Sequence, residues 1–163
     1  MRRTGDGRAV VRTAILLASG LSAIPAAAPA QEVGQCVDGS AWWQAGAFAG
    51  LGPCQSPEEG FFVLACPDGP VTLDVDSPFE AEPDEPVTVT LDVDGRTFEA
   101  QGRAVLFART DTVGAGEAEM PPEAVQALVA GSEAAFVLPS ETRAIHLTGS
   151  GAAIRAMLAN CGG

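Results

Sequence analysis

Two hydrophobic periods divide the chain. Val71, Leu73 and Val75 alternate with Thr72, Asp74 and Asp76, and Val87, Val89, Leu91 and Val93 alternate with Thr88, Thr90, Asp92 and Asp94. This period of two predicts strands with one buried face and acids turned to solvent. Asp94-Gly95 is a strong hairpin signal, because both residues tolerate the positive φ of a type I′ turn. Residues 96–101 return from it with Phe98 inward, and Gly102 separates them from an apolar strand at 103–109. Residues 41–48 open the core with Trp42 and Trp43, which alternation sends to opposite faces, and 61–66 and 134–138 are short apolar strands.

Near the C-terminus, Arg143, Ile145 and Leu147 alternate with Ala144, His146 and Thr148. Gly149 and Ser150 break that strand, and the Ser150 hydroxyl is placed to cap a following helix. Ile154, Met157, Leu158 and Cys161 fall at i, i+3, i+4 and i+7, a helical stripe ending in a thiol. A second helix opens at Pro121-Pro122-Glu123, with Val125, Leu128 and Val129 as its stripe and Gly131 as a C′ stop. Residues 50–60, 67–70, 77–86 and 110–119 have loop composition. About six to eight strands and two helices are expected. The fold class is mainly β (α+β): an antiparallel sheet or small β-sandwich with two short helices, stabilised by disulfides.

The first thirty residues change the compartment. Arg2, Arg3, Arg8 and Arg12 precede an apolar run at 13–24, too short to span a bilayer, and Ala28-Pro29-Ala30 has the small-x-small form of a cleavage site. A signal peptide at 1–30 and a single β-rich domain at 31–163 are expected, in the periplasm or secreted. Removing the four arginines and Asp6 takes the net charge from −12 to −15. Such a surface repels phosphate backbones and anionic lipid, so neither nucleic acid nor membrane is an expected partner of the mature chain. Acidity keeps an exported protein soluble, and it also attracts basic proteins and divalent cations.

Cys36, Cys54, Cys66 and Cys161 all follow the leader, an even count that in an exported chain indicates two disulfides. No C-x-x-C or His-rich spacing supports a metal cluster. Three pairings are possible. Cys54–Cys66 closing a short loop, with Cys36–Cys161 joining the chain ends, is the first choice; Cys36–Cys54 with Cys66–Cys161 is the second. In the chain-entropy account a long-range bridge is worth about 4–5 kcal/mol and a short one about 3 kcal/mol.

Candidate chemistry is sparse. Asp74, Asp76, Glu80, Glu82, Asp84 and Glu85 concentrate carboxylates on a strand end and the adjoining loop, the natural contact for a basic partner. Asp74-Val75-Asp76 and Asp92-Val93-Asp94-Gly95 contain the D-x-D fragment of calcium loops, although strand alternation explains both pairs and the EF-hand spacing is missing. A catalytic pair of carboxylates would need a cleft with aromatic platforms, for which only Trp42 and Trp43 are available. His146, the sole histidine, could meet Ser150 in a hydrolase, but Gly149-Ser150-Gly151 is not a nucleophile elbow. No catalytic residue, metal or cofactor is assigned.

The Trp42-Trp43 and Cys54 opening, the 61–66 strand, and the ending Ile145-His146-Leu147-Thr148-Gly149-Ser150 followed by a helix and Cys161 resemble small alphaproteobacterial exported proteins of the invasion-associated locus B type. That resemblance covers the Cys-bearing opening and the last twenty or so residues. It implies a β-rich periplasmic or secreted protein concerned with host interaction and carries over no catalytic residue. The expectation is therefore a non-enzymatic exported protein that binds a basic protein partner, as an inhibitor or in host interaction. A small hydrolase using His146 and Ser150 and a calcium-dependent binding module are the alternatives.

Overall fold

A computed structural model of the chain describes residues 31–56 and 59–162; the expected leader lies outside them. Among the described residues there are ten strands: β1 (Gln31–Glu32), β2 (Ser40–Ala45), β3 (Phe48–Pro53), β4 (Phe62–Ala65), β5 (Thr72–Val75), β6 (Pro86–Val93), β7 (Arg96–Phe107), β8 (Thr112–Glu119), β9 (Glu133–Val137) and β10 (Thr142–His146). Helix α1 (Pro122–Ala130) precedes β9, and α2 (Ser150–Leu158) follows β10. All strands join one antiparallel sheet in the order β1-β2-β3-β4-β5-β8-β7-β6-β9-β10. The expected class holds, as a single curled sheet rather than two packed sheets.

Curling lets one sheet bury a core on its own inner face. The inward positions of the alternating strands are buried: Leu73 and Val75 on β5, Val87, Val89, Leu91 and Val93 on β6, Phe98 on β7. They form one apolar cluster with Trp42, Phe62, Leu64 and Phe136. Ala124, Val125 and Leu128 of α1 and Ala153, Ile154 and Met157 of α2 join that cluster, the two helices packing on each other. The two ends of the sheet meet across the curl. Trp42 of β2 is fully buried and donates its indole N–H to the His146 carbonyl of β10 at 2.8 Å.

Two strands lie where loops were expected. Residues 50–53 complete β3, and 112–119 form β8, which pairs with both β5 and β7. β8 carries no period-2 signal because close packing, not side-chain burial, decides its residues. A Cβ on Gly114 would stand 2.7 Å from the Phe107 ring, and one on Gly116 would stand 2.5 Å from Val105. Gly102 does not end a strand either: β7 runs through it, with a register shift between Gln101 and Arg103 that bends the ribbon.

Three local expectations are corrected. Ser150 does not cap α2. Its buried hydroxyl shares its one proton between the carbonyls of Leu128 and Leu147, 2.7 and 2.8 Å away, stitching the end of α1 to the start of α2, while Gly149 occupies the cap position with φ 96°. Gly131 follows α1 with φ −78°, outside the left-handed region; glycine is needed there because a Cβ would meet Ala127 O and Val93 Cγ1, each at 2.8 Å. Cys161 lies in the turn after α2 rather than on its stripe, and Leu158 is exposed.

The disulfides are Cys36–Cys54 and Cys66–Cys161, the second of the two pairings weighed. The β2–β3 register explains the first. Ser40 opposes Pro53, Cys54 donates its N–H to Gly39 O at 3.0 Å, and the Val37–Ser40 bridge folds Cys36 back beside it. Cys66 then remains, fully buried at the end of β4, for the chain end brought in by α2.

Candidate functional site

The acidic stretch at 77–86 is the crossover that carries the chain from β5 past β8 and β7 to β6. It is laced onto the strands it passes: Phe79 N–H donates to Val113 O at 2.9 Å, Asp84 N–H to Ala104 O at 2.8 Å, and Ala104 N–H to Glu85 O at 2.8 Å. Ser77, its first residue, is buried. Several of the six carboxylates singled out in the sequence serve this architecture. Asp74 accepts the Glu117 N–H at 2.7 Å, where Glu117 takes φ 52°. Asp76 pairs with Arg109 at 3.0 Å and accepts the Thr110 hydroxyl at 2.6 Å. Glu85 accepts the Glu82 N–H at 3.0 Å within the turn. Glu80, Glu82 and Asp84 are exposed on the strap. Among the described residues, no three His, Cys, Asp or Glu side chains come together as a metal-holding group.

His146 and Ser150 take separate partners. The hydroxyl of Ser150 is buried and committed to two carbonyls, while His146 Nε2 faces Ser40 O at 3.2 Å. Among the described residues, His146 Nδ1 is buried with no hydrogen-bond partner, as is Trp43 Nε1 on the outer face of β2. Trp43 and Trp42 do point to opposite faces: Trp42 joins the core cluster, and Trp43 lies across its register partner Gly50.

A separate concavity lies at the seam where the curled sheet fails to close. Between the outer edge of β10 and the β2–β3 end runs a groove of about 720 Å³ bordered by Asp38, Asp92, Asp94, Glu133 and His146. A second depression of about 340 Å³ continues it past Ala144 to Glu59, Phe61 and Arg143, the two sharing Ser40, Leu51, Ala144 and Ile145. The registers explain the lining. Asp92, Ala135 and Ala144 are successive cross-strand partners on β6, β9 and β10, and Glu133 opposes His146 two pairs along, on the same face, so small side chains floor a trough walled by acids. At one end the indole of Trp42 and the imidazole of His146 bridge the gap; at the other, the Arg143 guanidinium stacks 4.3 Å above the Phe61 ring.

Asp94 joins structure to electrostatics here. It occupies the β6–β7 turn at φ 48°, with Gly95 at φ 77°, as the Asp-Gly signal requires. Its carboxylate reaches across to the α1–β9 turn and accepts the N–H groups of Glu133 (3.0 Å) and Ser132 (3.2 Å) and the Ser132 hydroxyl (3.1 Å). Those donors, the Glu133 amide first, hold the Asp94 carboxyl below its ordinary pKa. A carboxyl with a depressed folded-state pKa stabilises the fold above its unfolded value and loses that contribution as pH falls through the folded value. Asp94→Asn should therefore melt below the unmodified protein at pH 7, and the gap should close as pH drops below about 4. A constant gap in melting scans from pH 7 to pH 3 would remove the charge from this account.

Nothing local in the sequence marks Asp38, Glu59 or Glu133. Only the 139–140 turn gives a hint: pairing β9 with β10 across it sets Glu133 opposite His146 and Ala135 opposite Ala144. Among the described residues, no helix is long and apolar enough to cross a membrane. Comparison of the chain with protein-family models, with curated proteins and with solved structures finds no match.

Proposed function

We propose that this is a non-enzymatic binding protein of the periplasm or extracellular space that takes a basic protein partner on the acid-walled seam of its curled sheet. The carrying observation is the groove itself, about 720 Å³ and bordered by Asp38, Asp92, Asp94 and Glu133, on a chain of net charge −12. Carboxylates around a trough steer a cationic surface and set its register. Two disulfides suit an oxidising compartment, and the resemblance to the invasion-associated locus B type accords with a partner outside the cytoplasm.

The seam replaces the 77–86 strap as the leading contact, because the strap's backbone is bound to β7 and β8 while the groove is open. The comparison that tests this is capture of basic proteins, at low and high salt, by two variants. One neutralises the seam through Asp38→Asn, Glu59→Gln and Glu133→Gln; the other neutralises the strap through Glu80→Gln, Glu82→Gln and Asp84→Asn. Loss of salt-sensitive capture with the first alone supports the seam. Loss with the second alone moves the contact to the strap, and no loss with either rejects an acidic binding surface.

A further inference from the structure

We propose that the outer edge of β10 receives an extended segment of the basic partner as an added strand. This rests on the binding function proposed above and names how the partner is held. The turn at 139–140 decides which backbone groups of β10 are free. Leu138 N–H donates to Glu141 O at 2.8 Å, so those two residues form a hydrogen-bonded pair. Hydrogen-bonded and non-hydrogen-bonded pairs alternate along an antiparallel ladder. Through the β9–β10 register, Arg143 and Ile145 therefore bond to β9, and Thr142, Ala144 and His146 turn their N–H and C=O groups away from it.

Two contacts agree with that assignment. The His146 carbonyl accepts the Trp42 indole N–H from across the seam. Glu133, opposite His146, likewise turns its carbonyl away from β10, accepting the Asp94 N–H from the β6 side at 3.1 Å. The outward groups of Thr142 and Ala144 have no partner among the described residues, and β10 ends the sheet order. An unpaired edge of this kind is a template for another strand.

The groove also states what the added strand should carry. Side chains on a strand alternate faces. On the outer face, an incoming strand beside Ala144 extends the row Asp92, Ala135, Ala144, with Asp38 across the groove. On the inner face it meets buried Ile145 and Leu51. The matching sequence alternates basic with small apolar residues.

A ten-residue alternating Lys-Val peptide is the probe, titrated by fluorescence anisotropy into the oxidised protein at low salt. Its counterpart N-methylated at every backbone amide keeps the charge and loses the ladder donors whichever edge it presents. Strand addition predicts binding of the first, about tenfold or more weaker binding of the second, and protection of the Thr142 and Ala144 amides from exchange on binding. Ala144→Pro, which deletes only an outward-facing N–H of an edge strand, should weaken the parent peptide about tenfold with little change in melting temperature. Should that variant fold poorly, the methylated peptide still decides the matter on the unmodified protein. Equal binding of the two peptides would overturn strand addition while leaving a charge-based binding function standing. No binding at any salt would overturn both. Protection of the same amides in a peptide-free dimer would assign the edge to a second copy of this chain and overturn the proposal.

Discussion

Oxidised protein lacking the Cys66–Cys161 bridge should melt far below the unmodified chain. Replacing Cys66 and Cys161 together by Ala should cost about 4–5 kcal/mol, on the order of 10–20 °C for a domain of this size. The bridge spans 95 residues, against 18 for Cys36–Cys54, and loop-closure entropy in the unfolded chain grows with the logarithm of that span. Its position adds to the effect. Cys66 is fully buried at the end of β4 and Cys161 follows α2, so the bond ties the helical end of the core to the middle of the sheet. The double replacement avoids the stray thiol that Cys161→Ser would leave free to exchange. Removing Cys36–Cys54, whose Cys36 is exposed, should cost less, about 3 kcal/mol at most. If the two deletions lower the melting temperature equally, the long bridge is not the main clamp.

Trp42→Ala should be nearly as damaging, costing about 3–5 kcal/mol. The indole is fully buried, meets Phe62 edge-on at 5.7 Å between ring centroids, and supplies the N–H that joins β2 to β10. The substitution opens a cavity and leaves the His146 carbonyl without that donor, two separable losses. Trp42→Phe keeps an aromatic ring and removes the N–H together with a small part of the ring volume, so it should cost less, about 1–3 kcal/mol, and act locally. Amide exchange should quicken along β10 and the first turn of α2 while β6 and β7 stay protected. Uniform quickening across the sheet would mean that the Trp42 bridge carries global stability and not the seam in particular.

The parts of this molecule legible from residues alone share one physical property: their cause is local. Period-2 alternation located β5, β6, the start of β7 and β10 because each strand buries one face and wets the other. Asp94-Gly95 located its turn because the two positive φ values are a property of those two residues. Pro122 and the Val125–Leu128 stripe located α1 for the same kind of reason.

What failed depended on neighbours distant in sequence. β8 looked like a loop because its glycines answer to Phe107 and Val105 on β7, and Ser150 looked like a cap because the carbonyl that claims its hydroxyl belongs to Leu128 of α1. The acids of 74–85 stood out as a candidate surface, yet Asp74, Asp76 and Glu85 turn out to hold a bulge, an arginine and a turn. The groove was invisible, since Asp38 and Glu133 border one depression, and Glu59 the one that continues it, only when the sheet curls.

By itself, then, the sequence determined a β-rich chain with two helices, four cysteines set for two bridges, and a strongly acidic charge. Tertiary structure decided the pairing of those cysteines, the single curled sheet, and the open seam beside β10. The reason is that burial, turn geometry and charge are carried by residues and short segments, whereas register and closure belong to pairs of strands. Which strand edge is left without a partner is settled only when every other strand has found its own.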